Sequence, residues 1–137
     1  MTSATHQLVR DFFAAMSAGD LPDALLTDDA QIWTTSSGKH IDKARYQFGV
    51  RLLGSVFQDG GKYTYTIKSI TAEDDRAAAE VDAQGTLITG EPYGNTYVFV
   101  LRIRDGKIAS VAEHFNPIPV HEKVAPLLQA AMAKTAG

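Results

Sequence analysis

Apolar residues recur along the first half of the chain at helical spacing. Leu8, Val9, Phe12, Phe13 and Met16 stand one, three and four positions apart, the stripe of an amphipathic helix. Gly19 supplies a stop, Asp20 a cap for a short helix through Leu25 and Leu26, and Pro22 suits that helix's first turn. Residues 30–35 (AQIWTT) predict a first strand, and 42–57 a further helix with Ala44, Phe48, Leu52 and Val56 along one side. In the second half the period drops to two. Tyr63, Tyr65 and Ile67 alternate with Thr64, Thr66 and Lys68. Further strands are predicted over 77–88, 97–104 and 107–115, divided by turns at 73–76 (EDDR) and 90–94 (GEPYG) and by the hairpin pair Asp105-Gly106. Pro117 and Pro119 end the last strand. Val124, Leu127, Leu128 and Ala131 mark a closing helix over about 119–134. Helices first and antiparallel strands after make an α+β protein rather than a parallel βαβ one. A long antiparallel sheet that curls over helices leaves room for a cavity between the layers.

Length and composition narrow this further. A chain of 137 residues reads as one domain, 1–137, large enough for a real core. The absence of cysteine removes disulfides, thiolate catalysis and zinc–thiolate or iron–sulfur sites. Thirteen Lys and Arg against sixteen Asp and Glu, a net charge of −3, argue against a nucleic-acid surface. No apolar run approaches the roughly 18 residues of a membrane helix, and MTSATHQLVRDFF has no basic leader followed by an apolar stretch. The expectation is a cytoplasmic domain without nucleic-acid or membrane partners. No metal or cofactor is expected either, since His40, His114, His121 and Glu122 offer no ligand spacing on one element face.

The segment 84–117, QGTLITGEPYGNTYVFVLRIRDGKIASVAEHFNP, resembles the C-terminal sheet of SnoaL-like proteins, members of the nuclear-transport-factor-two-like superfamily that also holds ketosteroid isomerases. The matching pieces are Gly90, Pro92-Tyr93, Asn95, Tyr97, the hairpin Asp105-Gly106-Lys107-Ile108, and Glu113 with its following aromatic and Asn residues. FFAAMSAGDL and LLTDDAQIW are similar to the family's opening helices and first strand, so the likeness covers roughly residues 6–117. It implies a cone-shaped α+β barrel: N-terminal helices in the concave face of a strongly curved antiparallel sheet, a C-terminal helix, an apolar pocket for a small molecule, and a homodimer. The dimer is expected through the outer sheet face, where Val98, Val100 and Ile108 are apolar. The isomerases' catalytic groups do not carry over. Their helix-one Tyr falls on Phe12, their base on Thr34 and their protonated Asp on Phe99, so steroid isomerisation by that mechanism is not expected.

Strand parity supplies an interior. Tyr97, Phe99, Leu101 and Ile103 share the uncharged face of their strand, and small Val81 and Ala83 face in from the strand before it. Alignment through the hairpin, which the resemblance implies, adds Val111, Glu113 and Phe115. Phe12, Met16, Phe48 and Leu52 are core residues, or pocket walls where the sheet stands off. Trp33 belongs either to the pocket or to the core. Glu113 is the odd residue, a carboxylate on an apolar face. Desolvation would raise its pKa toward 6–7 and make it a general acid or base; the plainer reading pairs it with Arg45 or Arg51. The resemblance favours catalysis, because several family members carry an acidic catalytic residue on this strand. His40, in the loop that the family places near the pocket mouth, is either solvated or a second catalytic group. The expected activity is proton transfer (cyclisation, isomerisation or dehydration) on a small, mostly apolar oxygenated molecule. A non-catalytic ligand-binding domain with the same pocket is the alternative, and a protein-interaction module, its pocket filled by Phe12, Phe99 and Phe115, is a third.

Overall fold

The computed structural model describes residues 3–58 and 62–136. Met1, Thr2 and Gly137, at the ends of the expected domain, lie outside the described residues. Helix α1 spans Ser3–Ala18 and buries Val9, Phe12, Phe13 and Met16, the stripe that its spacing predicts. Gly19, at φ 78°, ends it: the Gly19 N–H donates to the Met16 carbonyl and the Asp20 N–H to the Ala15 carbonyl, closing the last turn. The expected second helix shrinks to one 3₁₀ turn, Asp23–Leu25, without a side-chain cap; Asp20 instead faces Arg51 at 3.8 Å. Leu26 already belongs to strand β1, Leu26–Thr34, which is longer than the predicted segment. A short strand β2, His40–Asp42, returns along it, and the Asp42 carboxylate accepts from the Arg45 N–H at 2.8 Å to start helix α2, Lys43–Gly54.

Strands β3 (Thr64–Glu73), β4 (Arg76–Thr86), β5 (Pro92–Arg104) and β6 (Lys107–Phe115) follow as alternating burial predicts. Among the described residues the six strands form one curved, unclosed sheet in the order β2-β1-β6-β5-β4-β3. The barrel of the sequence reading is therefore open, and its sheet is not wholly antiparallel: β1 lies parallel to β6, with Ile32 opposite Val111 and Thr34 opposite Glu113. A parallel pair needs a long crossover, and here the connection from β1 to β6 runs through α2 and four strands. The Asp105-Gly106 turn has φ of 55° and 74°, the left-handed pair that a two-residue hairpin requires. A register shift after Arg102 buries Ile108, which the outer face was expected to carry. The C-terminal segment runs through a turn at Pro117–Pro119 and a π-helical stretch at Val120–Val124 into helix α3, Ala125–Ala136.

Helix α1 and α2 sit on the concave face. Small Ala77, Ala79 and Ala83 let α1 approach the sheet closely, and Phe12, Phe13 and Phe99 interlock there with ring centroids 4.8–6.0 Å apart. Each such aromatic pair adds roughly 0.5–1.5 kcal/mol beyond the area it buries. The packing is solid at this end of the sheet and opens at the other.

Candidate functional site

A cavity of about 240 Å³ lies between α2, the ends of β1, β5 and β6, and the C-terminal helical segment. Its walls are Met16, Ile41, Val50, Leu53, Phe115, Val120, Val124 and Leu128, with the rings of Tyr46, Tyr63, Tyr65, Tyr93 and Tyr97. Into this apolar lining projects the carboxyl of Glu113. The backbone of β6 is fixed at that point by the residue that follows β1: the Thr35 N–H donates to the Glu113 carbonyl at 3.0 Å, and the Phe115 N–H donates to the Thr35 hydroxyl at 3.1 Å. The accessible part of Glu113 faces the cavity that it lines.

The Tyr46 hydroxyl donates to Glu113 Oε1 at 2.7 Å. Met16 Sδ is 3.8 Å from the same hydroxyl, so the single phenolic proton goes to the carboxylate. Two effects then compete at Glu113. Burial disfavours the charged form, and the Tyr46 hydrogen bond favours it. Burial prevails, and the carboxyl is pushed up from 4.5 to about 7. The plainer reading, an ion pair with Arg45 or Arg51, is not met among the described residues: Arg51 turns to Asp20, and Arg45 lies in the cavity wall without an ion pair. Burial, followed by the nearby Glu113 charge, raises the Tyr46 phenol well above its ordinary value. Burial also raises Tyr63, Tyr65 and Tyr97, so these phenols stay protonated over the physiological range. The Tyr63 and Tyr97 hydroxyls lie 2.8 Å apart. One proton makes that bridge, and the other hydroxyl proton can be donated elsewhere. The site therefore offers one carboxyl that both takes and gives a proton near neutral pH, with phenol donors inside an apolar wall.

Of the residues that sequence reasoning brought forward, Met16, Tyr97, Glu113 and Phe115 line this cavity. Phe12, Val81, Ala83, Phe99, Leu101 and Val111 face inward as parity predicts, yet none lines the cavity, because α1 lies on that part of the sheet and fills it. Phe48, 44% exposed, and Leu52 point away from the sheet into an apolar groove of about 410 Å³ against α3. Trp33 sits on the convex face, its ring tilted against His114 with centroids 4.8 Å apart, because its strand neighbours Ile32 and Thr34 take the inner side. His40 is exposed on β2 opposite Trp33 and is not part of the cavity wall. A broad surface depression of about 670 Å³ around Lys62, Gln84 and Tyr93 is larger, but neither it nor the apolar groove contains a buried carboxylate.

Tyr46, Tyr63, Tyr65 and Tyr93 were not anticipated. The alternation of Tyr63 and Tyr65 carried the signal for two of them, since residues two apart share a face. Nothing local joins Tyr46 to Glu113, 67 positions away. Among the described residues no group of three His, Cys, Asp or Glu could hold a metal ion, and no helix is long and apolar enough to cross a membrane.

A family model described as the SnoaL-like domain matches residues 9–111. No curated protein matches the chain. AclR from Streptomyces galilaeus, described as a candidate hydroxylase, superposes with a TM-score of 0.78 at 20% identity, over 92% of this chain and 98% of its own. IdmH from Streptomyces antibioticus, described as a candidate polyketide cyclase, gives 0.75 at 21% identity, over 88% and 96%. A protein of ketosteroid isomerase-like fold from Catenulispora acidiphila, in complex with trimethylamine, gives 0.67 at 15% identity, over 78% and 83%. At such identities the likeness is one of fold.

Proposed function

Since the chain belongs to the SnoaL-like domain family, we propose that it is a small-molecule enzyme whose cavity carries out proton transfer with Glu113 as general acid and base. The observation behind this reading is the Glu113 carboxyl itself, half-ionised near pH 7 in an apolar cavity and held through one oxygen by Tyr46. A group poised there accepts a proton from an acidic C–H or O–H and returns it at another atom of the same molecule. Cyclisation, isomerisation and dehydration all fit that cycle. The Tyr63–Tyr97 hydroxyl pair supplies a donor for a substrate oxygen. The cavity volume, below the roughly 300–1,000 Å³ of sites for drug-sized ligands, sets the substrate at fragment size.

The isomerase mechanism does not fit. Phe12 and Phe99, at the positions where the resemblance puts those enzymes' oxyanion groups, are fully buried core residues. The alternative is ligand binding without turnover. It draws support from the single acid–base group in the cavity and from the trimethylamine complex of the Catenulispora acidiphila protein. Deuterium incorporation from heavy water into a panel of small ketones and enols separates the two. Exchange by the wild type that Glu113→Gln abolishes, with binding retained, supports catalysis; binding with no exchange by the wild type supports the alternative. We also place in this reading a homodimer through the convex sheet face and a cytoplasmic location. The apolar exposure of Val98, at 42%, supports the dimer.

A further inference from the structure

Three exposed residues, Ser36, Arg45 and Gly49, line the cavity, and they mark its mouth between the β1–β2 turn and the first turns of α2. Arg45 is the charge there. Its neighbours on α2 are engaged, Lys43 with Asp23 and Asp28 at 3.3 and 3.7 Å, Arg51 with Asp20 at 3.8 Å. Among the described residues Arg45 forms no ion pair, and outside the helix's own backbone ladder its one hydrogen bond is from the backbone N–H to Asp42 Oδ1. Its guanidinium therefore keeps its donors beside an apolar opening.

We infer that Arg45 anchors a carboxylate at the mouth, so that the ligand of this cavity is a fragment-sized organic acid with an apolar body. The inference rests on the cavity being the ligand site of the proposed function. A planar guanidinium matches a planar carboxylate through two parallel hydrogen bonds. The interior fixes the direction of entry. Glu113 repels an anion that goes deep, and the aromatic walls desolvate it, so the charged end stays at Arg45 while the neutral body fills the space between the tyrosine rings. A carboxylate held outside leaves the far end of a short ligand beside Glu113. The same charge at the mouth disfavours cationic ligands.

Phenylacetate and its neutral isostere phenylacetamide, titrated calorimetrically against the full chain, test this. Phenylacetate binds the wild type more tightly, and Arg45→Gln weakens it about 5–10-fold while leaving phenylacetamide unchanged, the scale of one well-formed, partly exposed charged pair. Arg45→Lys, which keeps the charge and loses the fork, recovers part of the difference. Equal affinity of the two probes for the wild type, or equal weakening of both by Arg45→Gln, overturns the carboxylate anchor and leaves the cavity reading intact. Tighter binding of phenyl phosphate than of phenylacetate replaces the carboxylate by a phosphate ester. Binding of none of the three probes overturns the anchor together with the cavity as a ligand site.

Discussion

Glu113 releases its proton at about pH 7 in the folded chain and near 4.5 when exposed. The folded state therefore holds a proton that the unfolded state has lost between those values. Stability falls as pH rises through this window, by on the order of 3 kcal/mol in all for a shift of this size. Below the window both states are protonated and the cost vanishes. Glu113→Gln keeps an acceptor for Tyr46 and removes the titration. Its stability relative to wild type should be level near pH 4 and rise by ~1–3 kcal/mol at pH 8, read from denaturant midpoints. A difference that stays flat with pH would mean that the carboxyl is not desolvated. Tyr46 acts on the same proton in the opposite sense, as a positioning residue. Tyr46→Phe removes the hydrogen bond that favours the carboxylate and should move the Glu113 titration about one unit further up, followed by its carboxyl carbon resonance. An unmoved titration would show that the 2.7 Å contact does not govern ionisation.

Helix α2 carries two apolar stripes, each with its members four residues apart, and each looks the same along the chain. Phe48 and Leu52 face the groove against α3, whereas Tyr46 and Val50 face the sheet. The placement follows from Asp42, which starts the helix where β2 ends and so sets its rotation over the cavity. Strand β4 meets its neighbours more tightly. A Cβ on Gly85 would stand 2.7 Å from the Lys62 carbonyl and 2.9 Å from the Phe57 ring. That ring stacks on Tyr63 at 4.6 Å, beside the cavity. Gly85→Ala should cost about 1–3 kcal/mol in an unfolding titration, the usual penalty of forcing atoms into a packed site. Gly49→Ala meets nothing within 4 Å and should raise stability by ~0.5–1 kcal/mol through helix propensity. Equal effects of the two alanines would contradict the close approach at Gly85.

On the scale of the whole molecule, the curved sheet has one face spent on the helices and one left outside. Val98 on the convex face is 42% exposed, and the Trp33 ring packs there, tilted, against exposed His114. An apolar area of this kind covers itself best by meeting a second copy. Light scattering at micromolar concentration should give a dimer mass, and Val98→Glu should give a monomer with unchanged circular dichroism. A wild-type monomer under those conditions removes this interface.

The inward side of Glu113 came from the family resemblance, whereas local sequence alone was enough for the order of the main elements, the buried stripe of α1 and the inward set of β5. These depend on periodicity and on turn chemistry such as Asp105-Gly106, which act over a few residues. Periodicity says which residues share a face and is silent on what stands opposite. The tertiary structure decided that Phe12 and Phe13 would fill the space over Val81 and Phe99, and that the opening would move to the tyrosines near Phe115. It decided that β1 runs parallel to β6, which sends Trp33 outward and brings Thr34 beside Glu113. It also decided the partner of Glu113, a tyrosine 67 positions away. Whether a face becomes core or cavity depends on how closely α1 and α2 approach the sheet, a distance set jointly by side chains from every layer.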